Sequence, residues 1–475
     1  MSTVVPKIIQ GGMGAAVSNW SLAQAVSRLG QLGVVSGTAL DQILARRLQC
    51  GDPGGHIRHA LSHFPFPNMA QRILDTYFVP NGKSPSAPFK FAGMHTFEGK
   101  RSLHELCIAG NFVEVFLARQ GHNNPVGINY LEKIQMPHLP SLYGAMLAGV
   151  AVMIIGAGIP IEIPGVISAL ASHQPATYSM RVVGAAPGAK FTLEFNPADF
   201  HETATPLDPL PRPVFLPIIS SDALAGILYR KSNGPIDGFV IEGPLAGGHN
   251  APPRGALSLT PSGEPIYGPR DLVDLKAMRE LGLPFWLAGS YGSAKGLQAA
   301  LKEGASGIQV GTAFALCVES GLTPDIRRAL IRKALAGKAR VFTDPLASPT
   351  GFPFKVAELE GTLSDPAIYK QRRRLCDLGF MRQAYQKEDG TIGYRCPAEP
   401  EDVFVAKGGK LEETVGRKCL CNSLVSNVGM PQRLPDGTEE LPLVTLGDDL
   451  VNVGQFCTAD HVDYTAADVV RILLG

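Results

Sequence analysis

One histidine stands where a predicted strand gives way to a glycine turn. The apolar run 238–242 predicts a buried strand, and Gly247, Gly248 and His249 follow it in the next few residues. Glycines let the backbone turn sharply and approach a ligand closely. Loops held by a rigid scaffold often carry function. We therefore expect His249 at the carboxyl end of this strand, where an imidazole can act as an acid, a base or a hydrogen-bond partner.

Two further strand-to-glycine junctions follow along the chain. The run 284–288 ends in Gly289 and Ser290, and the run 307–310 ends in Gly311 and Thr312. The segment 293–304 between them predicts a helix capped by Ser293 and stopped by Gly304. Strand, helix and strand in this order indicate a βα repeat. In a (β/α)₈ barrel the last two βα loops commonly bind a phosphate through backbone N–H groups, so we expect these two loops to do so.

At this point the chain resembles a known family of FMN-dependent barrels, the nitronate monooxygenases (2-nitropropane dioxygenases), and their relatives the flavin-dependent enoyl reductases. The resemblance covers roughly residues 5 to 320. The matching segments occur in the family's order and are Ile8-Ile9-Gln10-Gly11-Gly12-Met13-Gly14, Val126-Gly127-Ile128-Asn129, Ala246-Gly247-Gly248-His249, Ala288-Gly289-Ser290 and Gln309-Val310-Gly311-Thr312.

The resemblance implies an α/β fold, a (β/α)₈ TIM barrel, with FMN as cofactor and His249 as the catalytic residue. It implies that the flavin lies against glycine-rich backbone and a few side chains, namely Gly12, Met13, Asn129, Glu242, Gly247, Gly248, Gly289, Ser290, Gln309, Gly311 and Thr312. FMN is also favoured over FAD because the two loops offer one phosphate site and the chain has no Gly-x-Gly-x-x-Gly dinucleotide motif.

Three positions depart from the pattern of the monooxygenases. Glu242 stands where glutamine is typical, which is closer to the enoyl reductases of polyketide and polyunsaturated-fatty-acid synthesis. Ser290 replaces the second glycine of the phosphate loop, and a serine there is strained if the position needs a positive φ. Asn250 replaces the glycine that commonly follows the histidine.

Three functions therefore remain open. The first is oxidation of nitronates or nitroalkanes with dioxygen, with His249 as base or hydrogen-bond partner. The second is NAD(P)H-dependent reduction of enoyl thioesters through FMN, which Glu242 favours. The third is a non-catalytic flavin-binding or scaffold protein.

The chain is longer than a barrel needs. It has 475 residues, against about 250 for a typical (β/α)₈ barrel. We expect the barrel in residues 1–340, with a helical insertion at about 41–110, and a C-terminal extension in 341–475. The insertion is expected over the barrel mouth, where such loops often build the substrate pocket. Further barrel strands are expected at 190–195 and 214–219.

Composition excludes several classes of partner. The net charge of +1 gives no electrostatic case for nucleic acid or an anionic membrane. The apolar stretch 142–171 is interrupted by glycines and prolines, which favours a βα junction over a membrane span. The N-terminal residues show no signal peptide, so we expect a cytoplasmic enzyme with a small-molecule substrate. The oligomeric state is left open.

Four of the eight cysteines cluster in the extension, at Cys376, Cys396, Cys419 and Cys421. Clustered cysteines in a cytosolic protein suggest thiolate ligands for zinc or an iron–sulfur cluster. Their spacing matches none of the standard zinc or ferredoxin patterns. Metal ligands and ordinary buried thiols both remain open.

Overall fold

Eight parallel strands form the centre of the molecule. The computed structural model describes residues 6–203, 205, 207–434 and 436–475. The barrel strands, labelled in chain order, are β1 (Ile8–Gln10), β2 (Gly33–Ser36), β3 (Val126–Leu131), β4 (Val152–Gly156), β5 (Val214–Ile219), β6 (Phe239–Glu242), β7 (Phe285–Ala288) and β8 (Gly307–Val310). Each strand lies beside the next one in the chain, and β1 also pairs with β8. A parallel bridge between Ile9 and Leu32 joins β1 to the start of β2. The sheet therefore closes into the predicted barrel.

Large apolar side chains fill the inside of the barrel. They form a cluster separate from the main core and comprise Ile9, Leu32, Val34, Ile154, Leu216, Val240, Trp286 and Ala288. All eight are at most 5% exposed. Alternation along a strand sends one set of side chains inward and the other outward against helices. The interior is thus packed, and only the ends of the strands are free to form a site.

Helices cover the outside of the barrel. In chain order after their strands they are Trp20–Arg28, Arg101–Ala118, His138–Leu147, Ile163–Ala171, Asp222–Lys231, Leu275–Glu280, Ala294–Lys302, and finally Thr312–Ala315 with Pro324–Leu335. Ser293 caps its helix as expected, because its Oγ accepts a hydrogen bond from the N–H of Gly296 at 3.0 Å. Gly304 follows with a φ of +85°.

Three additional helices lie between β2 and the helix Arg101–Ala118. They are Leu40–Gln49, His56–Ser62 and Pro67–Tyr77, with a 3₁₀ turn at Pro53–Gly55. Arg101–Ala118 itself contacts both Trp20–Arg28 and His138–Leu147, its neighbours in the outer layer. It therefore serves as the outer helix between β2 and β3, and the added segment ends before it.

One predicted barrel strand is wrong. The segment 190–195 contains the strand Thr192–Phe195, but this strand pairs antiparallel with Ala176–Ser179, outside the barrel. Its side chains alternate between buried and exposed, as in a hairpin with one wet face. A 3₁₀ turn at Pro197–Phe200 follows it before β5 begins.

The C-terminal extension packs onto the barrel through several of its elements. Its strands are Val341–Asp344 with Phe354–Ala357, and Gln383–Gln386 with Ile392–Arg395, the latter pair joined by Val182–Val183. Its helices are Pro366–Gln371, Glu401–Ala406, Leu420–Ser426 and Ala466–Leu474, and it has 3₁₀ segments at Leu411–Thr414 and Asp448–Phe456. Another 3₁₀ turn, Pro269–Asp271, belongs to the barrel and lies in the loop after β6. The last helix contacts Trp20–Arg28 and Ala294–Lys302. In the described ranges no helix combines the length and apolarity that a membrane crossing requires.

Candidate functional site

A cavity with a volume of about 190 Å³ lies at the carboxyl ends of the barrel strands. The structure brings every candidate site residue of the sequence analysis to its wall. They are Gly12, Met13, Asn129, Glu242, Gly247, Gly248, His249, Gly289, Ser290, Gln309, Gly311 and Thr312. Gly156 and Ala157, from the turn after β4, also line it. Residues separated by hundreds of positions meet here because parallel strands end at the same rim.

Both glycines of the Gly-Gly-His turn are explained by the structure. A Cβ on Gly247 would lie 2.8 Å from the backbone nitrogen of Gly447, so no side chain fits there. Gly248 has a φ of +83°, which favours glycine. The turn is held from outside, since Thr445 Oγ1 accepts a hydrogen bond from the N–H of Gly248 at 2.9 Å. The position of the next residue, His249, is fixed by this backbone.

His249 is held on two sides by the extension. Its Nε2 lies 2.7 Å from the Oγ of Ser348. Its ring packs edge-on against Phe354, with centroids 4.9 Å apart. Burial, together with the nearby Lys133, lowers the pKa of His249 to about 3. The imidazole is therefore neutral at pH 7 and can exchange hydrogen bonds without carrying charge.

A chain of hydroxyl groups leads away from His249. Ser348 Oγ lies 2.8 Å from Thr350 Oγ1, and Lys133 Nζ donates to Thr350 Oγ1 at 3.4 Å. Burial lowers the pKa of Lys133 to about 7. No sequence pattern marks these three residues as part of the site. The segment 343–354 contains serines and prolines, but nothing in its local sequence indicates that it contacts a histidine about 100 positions earlier.

The two glycine loops present unpaired backbone donors to the cavity. The N–H groups of Ser290, Gly311 and Thr312 have no acceptor among the described residues. Ser290 has a φ of +61°, so the strain expected for a serine at this position is present. Converging N–H groups at a strand end are what a phosphate requires. The phosphate end of the implied flavin therefore fits the residues present.

The extension, and not the insertion, covers the cavity. Among the described residues no lining residue comes from 41–110, whereas Phe354, Met381, Leu424 and the segment 445–447 contribute, as does Asp449. The expectation that the insertion builds the pocket is wrong. The reason is that helices Leu40–Gln49 and Pro67–Tyr77 pack together and against Arg101–Ala118, away from the rim.

The extension also touches the phosphate loops directly. The N–H of Gly447 donates to Thr312 Oγ1 at 2.9 Å. The N–H of Gly292 donates to Asp449 Oδ2 at 3.0 Å. The carboxylate of Asp449 is thus held by the same loop that would bind a phosphate, and would repel it.

Glu242 and Asn129 lie on the wall where the flavin ring is implied. Enclosure of the Glu242 carboxyl raises its pKa to about 8, so this side chain is mainly protonated at pH 7 and can donate a hydrogen bond. Asn129 Nδ2 donates to the carbonyl of Ile154 at 3.3 Å. A Cβ on Gly12 would lie 2.4 Å from the Asn129 Cβ, so the glycine allows the two backbones to approach.

Part of the chain is similar to known proteins. Residues 212–344 match the family model "Nitronate monooxygenase". The nitronate monooxygenase of Pseudomonas aeruginosa is 38% identical over 117 residues, which cover 25% of this chain and 32% of that protein. The nitronate monooxygenase of Paraburkholderia phytofirmans is 31% identical over 163 residues, covering 34% of this chain and 42% of that protein. The matched segments span less than half the length of these curated relatives.

Solved structures align over nearly the whole chain at low identity. FabK from Thermotoga maritima has a TM-score of 0.48 and 16% identity, covering 99% of this chain and 92% of that chain. Nitroalkane oxidase from Streptomyces ansochromogenes has a TM-score of 0.48 and 15% identity, covering 99% of this chain and 95% of that chain. The assignment of the fold rests on the closed parallel barrel itself.

Proposed function

We propose that this protein is an FMN-dependent oxidoreductase that oxidises nitronates or nitroalkanes with dioxygen, since residues 212–344 match the nitronate monooxygenase family model and part of the chain is similar to curated nitronate monooxygenases. The observation that carries the proposal is the cavity at the barrel rim, where a Gly-Gly-His turn and two loops with unpaired N–H groups meet. The Gly-Gly-His turn supplies His249 for substrate chemistry, and the two glycine loops supply one phosphate site.

Each part of the cavity has an assigned task. Ser290, Gly311 and Thr312 would hold the phosphate with their backbone N–H groups. The protonated carboxyl of Glu242 would donate a hydrogen bond towards the flavin. The flavin, when bound, would accept the electrons that leave the substrate carbon and pass them to dioxygen. Phe354, Met381 and Leu424, from the extension, exclude water from the same space.

His249 orients the substrate. With a pKa of about 3 the ring stays neutral at pH 7, so it binds a nitronate oxygen by hydrogen bonding and not by charge. For a neutral nitroalkane the same ring is a base in the cavity wall, but a base with so low a pKa removes a carbon-bound proton slowly. Nitronates are therefore the preferred substrates.

Replacing His249 tests this assignment. We expect His249→Ala to retain FMN and lose about 10²- to 10³-fold in kcat/KM for oxygen consumption with a nitronate, because one hydrogen bond to the nitronate oxygen is removed. His461→Ala, at an exposed position, is the matched control and should keep full activity. Turnover of His249→Ala within a few-fold of the parent would show that the imidazole only supports the turn.

The hydroxyl chain favours a second candidate, an NAD(P)H-dependent enoyl reductase. Reduction of an enoyl thioester requires a proton at the α-carbon, and Lys133, Thr350 and Ser348 form a hydrogen-bonded path from a cation to His249. The path can return a proton to His249 after each turnover. Oxidation of a nitronate needs no such supply.

The same purified protein distinguishes the candidates. Flavin absorbance should be followed anaerobically, first with NADPH and then with a nitronate. Bleaching by the nitronate alone supports the first candidate, and bleaching by NADPH with turnover of an enoyl thioester supports the second. Protein that binds FMN and reacts with neither corresponds to a non-catalytic flavin-binding protein. Release of FAD on heating would overturn the cofactor assignment.

A further inference from the structure

The four clustered cysteines of the extension converge on one small cavity, separate from the barrel cavity. Cys376, Cys396, Cys419 and Cys421 all lie in its wall. We call this group the cysteine chamber. The function proposed above uses none of the four thiols, so the chamber needs an explanation of its own.

Three elements bring the sulfurs together. Cys396 directly follows the strand Ile392–Arg395. Cys419 caps the helix Leu420–Ser426, and Cys421 lies in its first turn. Cys376 comes from the loop after the helix Pro366–Gln371. The spacing of the four cysteines along the chain matches no standard metal pattern. The fold nevertheless brings them to one cavity, which the sequence alone does not show.

The surroundings of the sulfurs suit thiolates. Asn422 Nδ2 donates to Cys419 Sγ at 3.7 Å, and Arg382 lies in the chamber wall. Hydrogen bonds and cations around sulfur are the means by which proteins stabilise and tune thiolate-bound iron.

The carboxylate in the chamber wall is already engaged. Glu399 Oε2 accepts from Lys407 Nζ at 2.7 Å, and Glu399 Oε1 accepts from the N–H of Cys396 at 3.2 Å. Glu399 therefore fixes the Cys396 loop and leaves ligation to the sulfurs.

The spacing of the sulfurs disfavours a single zinc ion. Four sulfurs around zinc at about 2.3 Å lie about 3.8 Å from one another. Within the described residues no three of the four sulfurs are mutually within 4.8 Å. In an iron–sulfur cluster each cysteine binds a different iron of the cubane, so the ligands stand further apart. The cavity between them is now about 10 Å³, room for about one water molecule, so a cluster would push the neighbouring side chains outward.

We propose that the cysteine chamber binds a [4Fe–4S] cluster through Cys376, Cys396, Cys419 and Cys421. Binding releases the four thiol protons and changes no other bond of the chain. Met381 lies in the walls of both the chamber and the barrel cavity. One residue, Met381, therefore separates the cysteine chamber from the barrel cavity.

Metal analysis of the full-length protein tests the proposal. The chain is purified without oxygen, reconstituted with equal amounts of ferrous and ferric iron and with sulfide, desalted, and assayed for iron, acid-labile sulfide and zinc. We expect about four iron and four sulfide per chain, a broad absorbance near 400 nm that dithionite bleaches, and an electron paramagnetic resonance signal on reduction. Since FMN also absorbs in this region, the sulfide assay and the resonance signal decide.

Cysteine variants locate the cluster. Cys396→Ser and Cys419→Ser should each lower bound sulfide at least several-fold. Cys107→Ser is the matched buried control, because Cys107 lies with Asp41 and His95 in another group of possible ligands, and Cys50→Ser is the exposed control. Both controls should retain the cluster.

Several results would overturn the proposal. Reconstituted parent protein with less than one sulfide per chain excludes the cluster, whether or not any variant folds. One zinc per chain that blocks iron uptake would do the same. Loss of sulfide in Cys107→Ser, with retention in Cys419→Ser, would place the iron elsewhere. FMN content is measured in the same samples, so failure of the cluster is distinguished from failure of the proposed flavin site.

Discussion

Introducing a negative charge at Gly311 tests the phosphate site most directly. The residue precedes the helix Thr312–Ala315 and has a φ of −104°, so a side chain is compatible with its backbone. A Cβ there would meet only the flexible Met13 side chain, at 3.4 Å from Sδ. The substitution Gly311→Asp should therefore preserve the fold while placing a carboxylate beside the N–H groups of Gly311 and Thr312.

The magnitude follows from the distance. A carboxylate on this wall would lie about 4 Å from a phosphate held by these groups, and two unit charges at that separation repel by about 4 kcal/mol at an effective dielectric constant of about 20. Since 1.4 kcal/mol is tenfold in an equilibrium constant, Gly311→Asp should weaken FMN binding by about 10³-fold. Gly311→Asn has nearly the same size without the charge and should weaken binding by less than about tenfold.

Quenching of flavin fluorescence on titration with apoprotein measures both dissociation constants. The urea midpoint of each apoprotein shows whether the fold is kept. The reasoning is refuted if the Asp and Asn variants bind FMN equally well, because the charge would then be far from the phosphate. Equal and severe loss in both variants would indicate that space at Gly311, and not charge, limits binding.

Three other substitutions have defined outcomes. Asp449→Asn should tighten FMN binding by roughly 5- to 100-fold in the same titration, because it removes a negative charge beside the phosphate loops. The Asp449 carboxylate accepts a hydrogen bond from the N–H of Gly292, and weaker binding in the variant would mean that this hydrogen bond shapes the loop. Ser290→Gly should raise the free energy of unfolding by about 1 kcal/mol, because φ is +61°; no change in urea unfolding would show that the serine is unstrained. The pKa of Glu242 is raised to about 8, so its contribution to stability is full below its ordinary pKa and is lost as pH rises through 8. Glu242→Gln should therefore gain stability relative to the parent between pH 5 and pH 9, by up to roughly 4 kcal/mol in urea unfolding; a constant difference across this range would contradict the raised pKa.

The features that could be predicted from the sequence are those that depend on neighbouring residues. Gly289, Gly311 and the helix between them were predictable because strands, caps and stops depend on neighbouring residues. The segment 190–195 was assigned to the barrel because its composition suits a strand, yet the partner of a strand is set by distant chain. Apolar alternation in Thr192–Phe195 indicates a half-exposed hairpin and argues against a strand of the barrel.

The outer half of the site could not be predicted for the same reason. Gly447 contacts Thr312 across 135 positions, and Ser348 contacts His249 across 99. Neither residue belongs to a local motif, so only the folded chain reveals the contact. Asp449 carried a weak signal, because a tail rich in glycine and aspartate is unusual for a region that packs against a barrel.

The last helix, Ala466–Leu474, has a consequence for synthesis of the protein. It buries Val469, Val470 and Leu473 in the main core and contacts Trp20–Arg28 and Ala294–Lys302. A ribosome adding about 5–20 residues per second needs roughly 20 to 90 s between the first of these helices and the last. For that interval the part of Trp20–Arg28 that the last helix covers has no partner, so the nascent barrel is exposed to aggregation or to capture by chaperones until translation ends. A chain that lacks Ala466–Leu474 would contain every loop of the barrel rim but would lack the helix that packs against the outer layer behind them.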